Sequence, residues 1–156
     1  MARKNADAEL LLAAISGLGP LARQLSQVHN RLWYEQVHQD LTGPQFTVLC
    51  LLHTRGAMDQ GTLGSLANLD KSTAAPLLDR LRRRGLVDLA KDDSDRRRKL
   101  VRITDSGREL ATRLAPAVVE VSDQMLAPFT PEEREQFLAL LRRAVGAPVT
   151  PGGGPR

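Results

Sequence analysis

Cysteine is all but missing from this chain, and its scarcity removes several kinds of protein at once. With Cys50 alone in 156 residues there is no internal disulfide framework and no multi-cysteine zinc site. Aromatic residues make up 3% of the chain, too few for a groove that stacks single-stranded bases on successive rings. No apolar run reaches the roughly eighteen residues of a membrane span, and no basic, apolar, small-residue leader is apparent, so a cytoplasmic protein without a membrane partner is expected. Internal repeats are lacking too. No nucleophile elbow, phosphate-binding glycine loop or HExxH occurs, and His29, His38 and His53 stand in no catalytic pattern. An enzyme, a cofactor and a metal centre are therefore not expected.

What is present is one domain's worth of chain with an ordinary balance, 42% hydrophobic and 26% charged, sufficient for a real core. Its charge is local. Between residues 71 and 108 twelve Lys and Arg stand against six Asp, a surplus of six in a chain whose whole balance is +4, so the remainder is net negative. A confined basic region is the electrostatic footprint of a surface that meets nucleic acid, and the shortage of aromatics favours a duplex over a single strand.

Taken in order, residues 1–9 are polar and expected to be flexible. An apolar run from Leu10 to Ile15 stops at Gly17-Leu18-Gly19-Pro20, which should break or re-aim a helix. Leu18, Leu21, Leu25, Val28 and Leu32 then form a heptad seam suited to a partner helix. Beside it Arg23, Ser26, His29, Asn30, Trp33 and Tyr34 share an adjoining arc. That arc reads either as the wall of a ligand pocket or as solvated polar groups around a core tryptophan. Thr42 with Pro44 opens a strongly apolar helix that ends at Arg55-Gly56 and contains Cys50, read as a small buried hydrophobe.

Asp59 caps a short helix through Asn68, and a tight connection at Leu69-Asp70 starts another, a helix-turn-helix arrangement. In the second helix Ala74, Leu77, Leu78 and Leu81 make one face; Ser72, Ala75, Pro76, Asp79, Arg80 and Arg83 make the other. The small, hydroxylated start of that outer face lets backbone approach base edges, and its basic end suits phosphates. Gly85 stops the helix, and two strands, 86–91 and 99–104, flank a charged tip that carries Arg96, Arg97 and Arg98 and suits a minor groove. Thr104 or Asp105 caps a long helix that Pro116 should kink, and Thr130-Pro131-Glu132-Glu133 is a capping box for the last one. The fold expected is mainly α with a small β-hairpin wing, a winged helix-turn-helix. Residues 10–40 and 105–145 form a helical dimerisation layer, 41–104 a DNA-binding lobe, and 146–156 a disordered tail.

These residues resemble the MarR family of winged helix-turn-helix regulators. The likeness rests on DKST from Asp70, DRL from Asp79, RRGLV from Arg83, DRR from Asp95, ITDSG from Ile103 and TGPQFTVL from Thr42, and spans roughly 18–145. It implies an obligate homodimer with interlocked N- and C-terminal helices, two lobes spanning a pseudo-palindromic operator in double-stranded DNA, and a repressor's role. By the same resemblance Ser72, Thr73 and Pro76 lie nearest the bases; Lys71 joins the DNA-binding set, and Arg80 and Arg83 form the basic end suited to phosphates. Arg97, braced by Asp95, enters the minor groove, with Arg96 and Arg98 as alternates. Pro76 departs from the longer polar side chain usual there.

The segment PLARQLSQVHNRLW, Pro20 to Trp33, further resembles the branch that senses aromatic carboxylates such as protocatechuate. That likeness implies Arg23 on the carboxylate, His29 on a ring hydroxyl and Trp33 as a wall, with Ser26 and Asn30 beside them. A regulator with another ligand or none, or a winged-helix module for protein contacts, are the competing readings.

Overall fold

The computed structural model describes residues 2–37, 41–91 and 99–146. The elements run α1 (Ala2–Ser16), α2 (Leu18–Val37), α3 (Gly43–Arg55), β1 (Met58–Asp59), α4 (Gln60–Leu66), α5 (Lys71–Arg83), β2 (Val87–Lys91), β3 (Lys99–Ile103), α6 (Asp105–Leu126) and α7 (Pro131–Ala144). Helix α1 starts at Ala2, so residues expected to be flexible are helical; no proline or glycine interrupts the sequence before Gly17, and Ala, Arg, Lys, Glu and Leu are good helix formers. The break falls at Gly17, as expected. Pro20 is tolerated in the first turn of α2, where backbone N–H groups have no helical acceptor to lose.

Local chemistry sets most helix starts. The Thr42 hydroxyl accepts from the Gln45 N–H while the Gln45 side chain accepts from Thr42 N–H, a reciprocal cap on α3. Asp59, Asp70, Thr104 and Thr130 cap α4, α5, α6 and α7, with Glu133 completing the box on α7. Of the two candidates for α6 the cap is Thr104. At the end of α5, Gly85 adopts φ +70°, its N–H donates to the Arg82 carbonyl and Leu86 N–H reaches the Leu81 carbonyl. That left-handed glycine turns the chain directly into β2.

The core sits where α3, α4, α5 and the sheet meet: Leu49, Leu52, Leu63, Leu81 and Ile103 are fully buried, and α6 packs along α2. All four apolar residues of the inner α5 face, Ala74, Leu77, Leu78 and Leu81, are buried. Strands β2 and β3 pair antiparallel from Val87↔Ile103 to Lys91↔Lys99, and β1 adds to the other side of β3 through Met58↔Val101 and Asp59↔Leu100. The sheet is thus three-stranded, in the order β1-β3-β2, not a bare hairpin. A two-residue strand is too short to show period-2 alternation, so β1 has no sequence signature. Leu89, expected to be half-buried beside Val87, is 47% exposed, although its cross-strand partner Val101 is buried. Helix α6 continues through Pro116 to Leu126.

The terminal helices cover little of their apolar surface within one protomer. Leu10, Leu11, Leu12 and Ile15 of α1 are exposed, as are Leu18 and Leu21 of the α2 seam at 78% and 57%. Helix α7 buries none of its residues, and Leu140 and Leu141 face solvent. No described helix is long and apolar enough to cross a membrane.

Candidate nucleic-acid interface and ligand cavity

Helix α5 owes its position to the core it buries, and that burial turns Lys71, Ser72, Thr73, Ala75, Pro76, Arg80 and Arg83 outward, where all are exposed. Its first turn is fastened by Asp70. That carboxylate accepts from the Ser72 hydroxyl at 2.6 Å and from Thr73 N–H at 2.7 Å. The Ser72 bond first, then those to Thr73, hold the Asp70 carboxyl below the ordinary aspartate pKa. A depressed folded-state value means that its stabilising bonds are complete above the unfolded-chain pKa and are lost as pH falls through the folded one. An NMR titration should therefore find Asp70 protonating below the unfolded aspartate range, with the Thr73 amide resonance moving at the same midpoint. A midpoint at or above that range would show that the cap does not hold the anion.

At the other end of α5 the arginines are not equivalent. Asp79 pairs with Arg82 at 3.0 Å and also with Arg83, and the Arg82 bond is the leading cause of its lowered carboxyl pKa. Arg80, one residue away, has no carboxylate partner among the described residues and lines a groove of about 430 Å³. Thr42, Pro44 and Gln45 of the α3 start form one side of that groove; Ser72, Thr73, Pro76, Leu77 and Arg80 form the other. The involvement of the α3 N-terminal turn was not anticipated from sequence, since nothing local to Thr42–Gln45 says which helix it will face. Asp95, Arg96, Arg97 and Arg98 lie outside the described residues.

A second cavity, about 560 Å³, opens between α2 and α3 with Val118 of α6 behind it. That volume suits a small molecule. His29 and Trp33 of the expected arc do line it, their ring centroids 5.7 Å apart, and Phe46 meets Trp33 edge-on at 6.0 Å. The Trp33 indole N–H donates to the Leu41 carbonyl at 2.8 Å, which fixes the ring as a wall. Arg23, Ser26 and Asn30 are exposed and are not among the lining residues of this cavity. The opposite wall is the outward stripe of α3: Gly43, Pro44, Thr47, Cys50, Leu51, Thr54 and Arg55.

Thr47 and Thr54 donate their hydroxyl protons to the Gly43 and Cys50 carbonyls, which leaves their lone pairs for a ligand. Burial pushes the Cys50 thiol pKa up, in keeping with an apolar wall and not a reactive sulfur. Among the described residues Arg55 is the one permanently charged side chain in the lining, and none of them brings a carboxylate to it there. The sequence places Arg55 at a helix end, where it reads as an ordinary C-terminal cation; only the approach of α2 makes it a cavity residue. Pro44 borders both this cavity and the groove along α5. Among the described residues no group of His, Cys, Asp and Glu is placed to hold a metal.

Comparison with known proteins extends this geometry. A family model described as the MarR family matches residues 41–99. The HTH-type transcriptional repressor NicR of Pseudomonas putida is 31% identical over 136 residues, covering 86% of each chain. The PcaV transcriptional regulator of Streptomyces coelicolor, solved in complex with its natural ligand, superposes with a TM-score of 0.79 at 40% identity, over 83% of this chain and 92% of its own. The structure of Bordetella bronchiseptica BpsR, whose DNA binding is regulated by 6-hydroxynicotinic acid, superposes with a TM-score of 0.81 at 29% identity, over 86% of this chain and 96% of its own.

Proposed function

This chain belongs to the MarR family, and from that premise we propose that it is a homodimeric DNA-binding transcriptional repressor, released from a pseudo-palindromic operator by a small aromatic carboxylate. It acts in the cytoplasm by binding alone, with no catalytic step, cofactor or metal. The observation that carries this reading is the outward face of α5, small and hydroxylated at Ser72, Thr73 and Pro76 and cationic at Arg80. A second copy covers the exposed seam of α2 and the apolar sides of α1 and α7, and two-fold symmetry presents two α5 helices to major grooves about one turn, ~34 Å, apart. Lys71, Arg80 and Arg83 meet phosphates. Arg97, braced by Asp95, takes the minor groove, with Arg96 and Arg98 as alternates.

A gel shift with a palindromic duplex from the neighbourhood of its own gene tests the DNA half of the reading. Specific retention of the palindrome is expected; equal affinity for a scrambled duplex would reduce the lobe to a nonspecific or protein-binding module.

The ligand half rests on the cavity between α2 and α3. An aromatic ring lies against Trp33 and Phe46, a ring hydroxyl meets His29, and the carboxylate meets Arg55, since a guanidinium pairs with it in two parallel bonds. Arg55 also offsets the partial negative charge of the α3 C-terminus, which would otherwise repel an anion. Because Pro44 borders both sites, a ligand that shifts the first turn of α3 moves one wall of the DNA-facing groove. A coupling of ~1–3 kcal/mol suffices for a several-fold to roughly hundredfold release.

Trp33 is the single tryptophan, so its emission reports occupancy directly. Protocatechuate or 6-hydroxynicotinic acid should quench it, and Arg55→Ala should weaken that binding by about tenfold or more. An undiminished response in Arg55→Ala, with loss in Arg23→Ala, would return the carboxylate to the arginine that the resemblance implies.

A further inference from the structure

The outward start of α5 is short of hydrogen-bond donors, and this bears on which base pair it can read. The inference rests on the DNA-binding reading above. Ser72, the exposed hydroxyl nearest the helix start, directs its proton to Asp70 Oδ1 at 2.6 Å. The same carboxylate oxygen accepts from the Thr73 N–H at 2.7 Å, so that backbone donor is also occupied. One turn on, Pro76 has no N–H, so the Ser72 carbonyl loses its usual helical donor. Ala75 adds only a methyl. What Ser72 and Pro76 offer is therefore oxygen lone pairs and an apolar ring. Beside them Lys71 carries a flexible ammonium, better suited to a phosphate than to a fixed base edge.

The four base-pair edges respond differently to such a surface. In the major groove guanine presents two acceptors, which would face the Ser72 oxygen without a proton between them. Cytosine offers an amino donor but no methyl. An A·T pair offers both an amino group, on adenine N6, and a methyl, on thymine C5. We propose that the acceptor-lined, proline-backed start of α5 selects an A·T pair in each half-site, with adenine N6 donating to the Ser72 hydroxyl oxygen and the thymine methyl resting on the Pro76 ring. Pro76, the residue that departs from the family's pattern, is on this account a specificity determinant that excludes guanine at the position it covers.

The experiment is selection of duplexes from a randomised library by the full-length protein, repeated with Ser72→Ala and Pro76→Arg. The position under α5 is the one at which these variants change the motif. Wild-type protein is expected to select A·T there, and Pro76→Arg to move the preference toward guanine, because a guanidinium reads guanine O6 and N7 in bidentate fashion. In the selected duplex, deoxyuridine for that thymidine, or unsubstituted purine for that adenine, should each weaken wild-type binding by about tenfold. These analogues alter only the DNA, so a poorly folding variant does not confound them. A palindromic motif with guanine at that position, a motif unchanged in both variants, or full affinity for both analogue duplexes would overturn the inference and leave DNA binding standing. Selection that yields no motif, with scrambled duplex bound equally well, would remove the DNA-binding reading and this inference together.

Discussion

Raising the salt concentration from about 50 to about 200 mM should weaken operator binding by about a thousandfold or more. The charge that sets this response is concentrated: twelve cationic against six anionic side chains over residues 71–108, presented twice by a two-fold dimer. Six to ten neutralised phosphates, of the order such a dimer makes, give a steep log–log dependence through counterion release. The structure refines which arginines contribute. Arg83 already shares Asp79 with Arg82, whereas Arg80 lines the groove beside the start of α3 with no carboxylate partner among the described residues. Arg80→Ala should therefore reduce affinity uniformly across sequences and flatten the salt slope by about one unit for each phosphate contact it removes, and Arg83→Ala should do less. Asp79→Asn should raise nonspecific affinity by releasing two guanidinium groups. A shallow slope, equivalent to one or two phosphates, would show that the basic segment does not track the duplex backbone.

Replacing Gly107 by alanine should lower the melting temperature by roughly 6–12 °C, the equivalent of about 3 kcal/mol in a chain of this size. The sign is informative. Within a helix, alanine is ordinarily the better residue by about 1 kcal/mol. Gly107 lies buried in the first turn of α6, where its amide donates to the Thr104 hydroxyl at 3.1 Å. Thr104 in turn donates its hydroxyl to the Gly85 carbonyl at 2.7 Å and its N–H to the Leu86 carbonyl at 3.1 Å. These bonds draw α6 onto the chain that leaves α5. A Cβ on Gly107 would sit well inside van der Waals contact of the Leu86 carbonyl oxygen and 2.8 Å from Ile103 Cγ1. The oxygen belongs to the backbone and cannot turn aside, so α6 must move away from the start of β2 and from the end of α5. Ser106→Ala, on the exposed side of the same turn, should be neutral or slightly stabilising. A Gly107→Ala protein as stable as wild type would mean that α6 slides freely over the β2 start.

The same junction shows what a motif means physically. The ITDSG segment supports the family resemblance as a string of letters, but its Thr104 and Gly107 are explained by contacts with Gly85 and Leu86, about twenty residues earlier. Neither the partner nor the need for a missing Cβ is visible within the segment. The cavity between α2 and α3 divides in a similar way. His29 and Trp33 were legible because they share one arc of one helix; Phe46, Thr47 and Arg55 were not, because they join the site only when α3 is laid across from α2.

What the sequence determined by itself is whatever depends on neighbours within about one helical turn or on summed charge. The caps at Thr42, Asp59 and Thr130, the stop at Gly85, the break at Gly17 and the buried stripe of α5 all follow from short-range hydrogen bonding and helical periodicity. The basic character of residues 71–108 needs no coordinates at all. Tertiary structure alone decided the third strand, the exposure of Leu89, the placing of Arg55 rather than Arg23 on the cavity wall, and the meeting of the α3 start with α5. Those features depend on which surfaces of distant elements exclude water together, and burial is a property of the assembled pair that neither segment carries in its own pattern.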